Sequence, residues 1–310
     1  MSSSPIIIQV TRGLKVESFH QAFAVVVDED GKTIFAAGDE NYVTCFRSSL
    51  KPFQASAAIK CGATAEAKFS TKEIALMCAS HSGEKIHTET AKGMLVKLGF
   101  TINDYECGAH QAFDTLTHHS MIKAGITYNA IHNNCSGKHA GMLCLAKHLV
   151  GKPKGYISEN HPVQKKILKQ VIRFAGKPPD AFGIDGCSVP APFYDLKTIA
   201  KMFQKLGSQK YNELAKAYNA MCTHPYLVAG KDRFDTVFMK VMNGAAVSKG
   251  GGEAIQGISI QTKKYGIIGI SLKVIDGSHR ARDVAIMSVL ESLNLLSLKE
   301  KQQIKAFISK

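Results

Sequence analysis

A chain of 310 residues, 45% hydrophobic and 21% charged, has the balance of a globular protein and excludes long disorder. Its 39 basic and 25 acidic side chains leave a formal charge of +14, but the lysines are scattered along helical stretches such as Lys165–Lys169 and the C-terminal tail. No basic run interleaves with aromatics and the apolar run Ile6–Ile8 is too short for a signal core or a span, so neither a nucleic-acid nor a membrane partner is expected and the location expected is cytoplasmic.

In chain order, Ile6–Val10 and Ala22–Val27 are apolar runs, and Asp28-Glu29-Asp30-Gly31 leads from the second into Thr33–Gly38. An Asp-Gly turn between two such runs predicts a β-hairpin. Helical spacing follows at Ser48–Cys61, Thr71–Ala79, His87–Leu98, Lys138–Leu149, Pro162–Ala175, Asp195–Leu206, Tyr211–Cys222 and Phe234–Asn243. Strands return at Ala254–Gln261 and Gly266–Ile275, joined by Lys263-Lys264-Tyr265; a helix at Arg280–Leu295 then precedes a polar Leu298–Lys310 segment. Strands at both ends with helices between predict an α/β (α+β) fold: one antiparallel sheet built from both termini, with an inserted helical lobe. The expected organisation is a single domain, with a sheet lobe of about residues 1–47 and 244–310 and a helical lobe of about 48–243.

Eight cysteines lack the paired density of a disulfide scaffold. Cys61, Cys78, Cys144 and Cys222 sit in apolar helical patterns, as small core residues do. Cys135 and Cys187 sit instead in polar, Gly/Ser-rich loops.

Four segments carry residues suited to chemistry. In Arg47-Ser48-Ser49-Leu50-Lys51-Pro52, proline is tolerated only in a first helical turn, so the helix must start near Ser48, placing Ser48 at the N-cap and Lys51 one turn on. A neutral lysine can take the proton of a serine hydroxyl, although an ordinary serine cap beside a surface lysine would read the same. Cys78-Ala79-Ser80-His81-Ser82-Gly83-Glu84 presents Ser80 and His81 where a helix ends, the place of a simple cap as well. In His132-Asn133-Asn134-Cys135-Ser136-Gly137-Lys138-His139, either asparagine could bind a carboxylate or amide, and Cys135 with His132 or His139 could ligate a soft metal. Asp185 and Cys187, in Asp185-Gly186-Cys187-Ser188-Val189-Pro190, are candidate partners from elsewhere in the chain. Ser248-Lys249-Gly250-Gly251-Gly252-Glu253 enters a strand with glycines that leave room for a ligand along its edge. Arg233-Phe234-Asp235-Thr236 reads as a charged loop capping a helix, and Asp276–Arg280 as turn chemistry before the last long helix.

Taken together, these segments resemble the bacterial asparaginase II family, of the type of the inducible rhizobial enzyme. The resemblance extends through Asn160-His161-Pro162-Val163-Gln164 and Ala229-Gly230, over nearly the whole chain. It implies a fold similar to serine β-lactamases and penicillin-binding proteins, with two serine–lysine tandems, Ser48 with Lys51 and Ser80 with Lys249. It further implies hydrolysis of L-asparagine, a zinc ion held by Cys135, Lys138 and Cys187, no organic cofactor, and a homodimer. Ser48 is expected to attack, with Arg47, His81, Asn133 and Asp185 as candidates for holding the substrate. The family usually shows Lys-x-Gly-Ala-Glu-Gly where this chain has Lys249-Gly250-Gly251-Gly252-Glu253-Ala254. Alternatives are a glutaminase or another serine β-lactamase-like amidohydrolase, and, outside enzymes, a metal-responsive or nucleic-acid-binding protein.

Overall fold

Ile6–Arg12 (β1) and Lys15–Val27 (β2) pair antiparallel, and β2 turns through the Asp-Gly segment into its second antiparallel partner, Thr33–Ala37 (β3). Asp28 closes that turn, its Oδ1 accepting from the backbone N–H of Asp30 at 3.1 Å and of Lys32 at 2.9 Å. The predicted hairpin is therefore present. The computed structural model describes residues 3–309; Met1, Ser2 and Lys310, which fall within the expected lobe limits, lie outside it.

After Val43–Cys45 (β4), a 3-10 turn at Arg47–Leu50 runs straight into α1 (Lys51–Lys60). The helices that follow are α2 (Ala63–Glu66), α3 (Thr71–Met77), α4 (Lys85–Leu98), α5 (Thr115–Lys123), α6 (Ser136–Val150) and α7 (Pro162–Ala175). Then come β5 (Ala181–Ile184), β6 (Pro190–Asp195), α8 (Leu196–Gly207), α9 (Asn212–Thr223), α10 (Pro225–Ala229) and α11 (Phe234–Met242). The chain closes with β7 (Ala246–Gly250), β8 (Ile255–Thr262), β9 (Gly266–Val274), α12 (His279–Ser292) and α13 (Leu298–Ile308).

The large sheet has the order β1-β2-β9-β8-β7, with β3 beside β2, and its pairings are antiparallel. Strands from the two ends of the chain meet where Ala22–Val27 of β2 lies against β9, Ala22 opposite Val274 and Val27 opposite Gly269. This is the expected sheet from both termini. One face is covered by α11, α12 and α13, where Phe238, Ile286, Leu290 and Ile304 pack on Ile258 and Ile270. The other face receives α8, which comes close enough to demand glycine. A Cβ on Gly257 would fall inside the Phe203 ring, and one on Gly269 would fall on the backbone of Ala200. Beyond α8, the helical layer centres on α1, whose Phe53 ring lies 5.5 Å from Phe203 and 6.1 Å from Phe174.

Three features depart from the expectation. β4, β6 and β5 form a second, three-stranded sheet that ties the chain before α1 to residues 181–195. The short helix α5 begins at Asp114, whose carboxylate caps Thr117 N at 2.7 Å. The expected polar C-terminal segment is a helix, because Ser297 and Glu300 form a capping box and Ile304 is fully buried. Among the described residues no helix is long and apolar enough to cross a membrane.

Candidate active site

The start of α1 and the middle of β7 meet at a buried seam, fastened where Ser49 Oγ donates to Lys249 O at 2.8 Å. Two lysines converge there. Lys51 is 1% exposed and Lys249 0%, and each places its Nζ 2.9 Å from the same oxygen, Ser80 Oγ. Lys51 Nζ also donates to Ala79 O at 2.5 Å and Lys249 Nζ to Gly250 O at 2.6 Å, so neither amine is free to swing away. Ser80 is carried past the end of α3 and fixed by its own N–H on Val228 O at 2.9 Å.

The pairing differs from the expected tandems in one respect. Lys249 meets Ser80 as anticipated, but Lys51 also bonds to Ser80, and Ser48 Oγ has no hydrogen-bond partner among the described residues. Ser48 is not an N-cap either. It sits inside the 3-10 turn that precedes α1, capped by Phe46, so its side chain leaves the helix on the cavity side while Lys51 runs inward. The residue before it, Arg47, holds a left-handed φ of 47°, a conformation costly for a residue with a side chain. The glycine loop after β7 backs this turn: a Cβ on Gly251 would stand 3.1 Å from Ser48 N and from Arg47 Cβ.

Ser48, Ser80 and Lys249 open on a cavity of about 310 Å³. Burial drives the pKa of Lys249 from 10.5 to about 7, with Lys51 and Arg233 pushing the same way and Asp235 opposing them. Asp235, whose Oδ2 is 3.9 Å from Lys249 Nζ, is itself held below the usual carboxylate range. Burial raises it, but Lys249, Arg282 and three hydrogen bonds win: from Ser248 Oγ at 2.6 Å, Gly250 N at 2.9 Å and Gln256 Nε2 at 2.8 Å. A lysine near neutrality beside a serine is the arrangement a hydroxyl needs for activation.

On another wall stand Cys135, at the start of α6, and Cys187, brought in by the loop between β5 and β6. Lys138, one turn into α6, places Nζ 2.8 Å from Cys187 Sγ, and Asp185 Oδ2 lies 3.7 Å from that sulfur. Cys135 is held well below the usual thiol range by the neighbouring Cys187 thiol and by Lys51 and Lys138, against its burial. The Cys187 thiol is correspondingly pushed up, and Cys187, Cys135 and Asp185 together hold Lys138 charged against its burial. Among the described residues no group of three His, Cys, Asp or Glu side chains is arranged for a metal; three donors assemble only when the Lys138 amine is counted. Two sulfurs and one amine, with a carboxylate beside them, fit a borderline-soft ion such as zinc, once the lysine and the second thiol give up their protons.

The other expected substrate contacts divide. Asp185 lines the cavity and, although burial raises its pKa, Lys138, Arg47 and Lys51 hold it below the usual range. Its Oδ1 is 3.0 Å from Arg47 Nε, an ion pair in which the N–H does not point along the contact. Asn133 lines the cavity but spends its amide on backbone, donating to Cys107 O at 2.9 Å and Gly108 O at 3.1 Å and accepting from Cys135 N at 2.9 Å. It shapes the cysteine loop. His81 does not reach the cavity at all: it is fully buried, its Nδ1 accepts from Gly83 N at 3.2 Å, and its Nε2 therefore donates to Ser136 Oγ at 2.9 Å. Burial, with His87 and Lys51 nearby, keeps it neutral. His81 is a strut between its own turn and the first residue of α6.

Sequence reading missed the cavity roles of Arg233, Asp235, His279 and Arg282, all of which line it. Two of the segments had been singled out, as a helix cap and a turn. Nothing in their spacing says that α11 and α12 bring them to the end of β7.

Solved structures similar to the chain include a Bacillus glutaminase determined in the presence of 4.3 M NaCl, at 12% identity over 89% of this chain and 91% of that one, with a TM-score of 0.46. A class A β-lactamase from Mycobacterium abscessus matches at 12% identity over 89% and 94%, also with a TM-score of 0.46. A β-lactamase from Sphaerobacter thermophilus matches at 13% over 89% and 92%, with a TM-score of 0.43. Among curated proteins none matches the chain. The family profile described as L-asparaginase II matches residues 8–310, so the chain belongs to the L-asparaginase II family and is an amidohydrolase of the asparaginase type.

Proposed function

We propose that this chain hydrolyses the side-chain amide of L-asparagine to give L-aspartate and ammonia. The observation that carries the reading is Ser80 Oγ held at 2.9 Å by both Lys51 and Lys249 on the wall of a cavity that also presents the unbonded hydroxyl of Ser48. Ser48 supplies the nucleophile, because its oxygen is uncommitted while that of Ser80 is tied to two amines. Ser48 Oγ bonds to the amide carbon, and its proton passes into the Lys51–Ser80–Lys249 chain, where Lys249 is the member whose amine becomes neutral near pH 7. The chain returns a proton to the departing nitrogen, the C–N bond breaks, and ammonia leaves a β-aspartyl ester on Ser48. Water then adds to the ester carbon, a proton returns to Ser48 Oγ, and aspartate is released.

Cys135, Cys187 and Lys138 would hold zinc beside this cavity. A bound ion supplies positive charge that neutralises the two thiolates and orders the loops carrying them. The experiment is ammonia release from asparagine by the wild type, Ser48→Ala and Ser80→Ala, with an acid-quenched mass spectrum of each. Ser48→Ala is expected to lose both turnover and the covalent adduct, and Ser80→Ala to slow turnover. A fully active Ser48→Ala variant would remove Ser48 as the nucleophile.

A further inference from the structure

The cavity has a second pole of charge, where α11 and α12 meet the end of β7. Arg233, the residue before α11, lines it largely buried, and among the described residues it has no ion pair and no side-chain hydrogen bond. A guanidinium taken out of water with no carboxylate in contact is costly, and burial here lowers even its pKa although Asp235 and Asp283 oppose the shift. The nearby carboxylates are already engaged. Asp235 is occupied by Ser248, Gly250 and Gln256, and Asp283 sits on Arg282, 2.8 Å from its Nε and 2.7 Å from its NH2. Those contacts fix Arg282 and leave its NH1 toward the strand edge, where a Cβ on Gly250 would come 3.0 Å from it. Gly250 is also the residue whose carbonyl accepts from Lys249 Nζ, so Arg282 NH1, whose one side-chain hydrogen-bond partner among the described residues is His279 Nδ1 at 3.3 Å, is one residue's breadth from the amine that meets Ser80. The cavity's other guanidinium, Arg47, is paired with Asp185 and so is not the free anion receptor.

We infer that Arg233, with Arg282 beside it, forms the subsite for the substrate's α-carboxylate and so selects free amino-acid amides. The inference rests on the amidohydrolase reading and specifies which end of the substrate lies against α11 and α12. The planar fork of an arginine suits a carboxylate, and the pinned Arg282 spares the ordering cost of a second long side chain. An amide lacking the carboxylate gains nothing from this pole and leaves Arg233 unbalanced.

The test compares L-asparagine with 3-aminopropanamide, which keeps the amine and the amide but has no carboxylate, in the wild type, Arg233→Met and Arg233→Lys. Wild type is expected to favour asparagine. Because Arg233 also pushes the Lys249 pKa down, each variant is compared on its own high-pH plateau, where Lys249 is neutral. There Arg233→Met is expected to raise KM for asparagine roughly 10- to 100-fold with kcat held within about threefold, while kcat/KM for 3-aminopropanamide stays within about threefold, so the preference collapses. Arg233→Lys, which keeps the charge but loses the fork, falls between and carries the test should the methionine variant melt early. Equal losses on both substrates, or an unchanged preference in either variant, would overturn the subsite. If the wild type releases no ammonia from asparagine, the amidohydrolase reading falls first, and the two failures stay separate.

Discussion

In the proposed mechanism the amine of Lys249 sets how activity responds to pH, and Asp235 helps to set where. With a pKa near 7, Lys249 is charged and unable to accept a proton below that value and neutral above it, so kcat/KM for asparagine should rise through about pH 7 and level off. Asp235→Asn removes the anion that acts most strongly on Lys249. At 3.9 Å, and with an effective dielectric of about 20–40, that attraction is roughly 2–4 kcal/mol. Losing it should lower the Lys249 pKa by about 1.5–3 units, since only the smaller pull of Cys135 then opposes burial, Lys51 and Arg233. The rising limb should move to lower pH by that amount, while the plateau falls less. Asparagine turns one acceptor oxygen into a donor facing Ser248, Gly250 or Gln256, so the variant should also lose about 1–3 kcal/mol of stability, which a denaturant titration measures. Initial rates of ammonia release across roughly pH 5–9, for the wild type and Asp235→Asn, make the comparison. A limb that stays in place or moves upward in Asp235→Asn would refute the electrostatic reasoning.

Three further outcomes follow from the same structure. Lys249→Met should be inactive yet no less stable at neutral pH: holding the lysine at about 7 instead of 10.5 costs on the order of 5 kcal/mol, against two lost hydrogen bonds of about 1 kcal/mol each. The sign is checkable in the wild type, whose stability from this group should rise with pH between about 7 and 10.5, where the unfolded lysine binds the proton that the folded one has released. Cys135→Ser and Cys187→Ser should each lower the zinc bound per chain by elemental analysis, and wild-type affinity should fall as pH drops because the ligands must lose protons; unchanged zinc content in both variants would place the ion elsewhere. Gly257→Ala should destabilise the fold by about 1–3 kcal/mol in a thermal melt, because its Cβ has no space against Phe203; a neutral result would mean that α8 can retreat from the sheet.

Local chemistry made much of this fold legible. Pro52 marked the start of α1, the Asp-Gly turn marked β2–β3, and Pro162–Ala175 is a helix at the limits its spacing indicates, because a proline opens it and Gly176 closes it. The small sheet was hidden. Its strands have three to six residues, and Pro190 and Pro192 in β6 argue against a strand unless its partners are known. The C-terminal helix did carry a signal, Ser297-Leu298-Lys299-Glu300, which a capping-box reading of the polar tail would have caught. In the site, residue types were readable but partnerships were not. Spacing put Lys51 near Ser48, whereas α3 and β7, distant in sequence, bring Ser80 to it and supply Lys249. His81 looked available in a polar turn, but Ser136 at the start of α6 and the stacked ring of His87 in α4 enclose it. Arg233 and Asp235 read as a helix cap because their charge acquires meaning only where α11 meets the end of β7.

The central claim is amide hydrolysis at the Ser48 cavity, and the most direct measurement is ammonia release by the purified chain offered L-asparagine and L-glutamine side by side, with and without zinc. The account predicts ammonia and aspartate from asparagine at a higher kcat/KM than from glutamine, and none from Ser48→Ala. Folded wild-type protein that releases no ammonia from asparagine under either condition would contradict it.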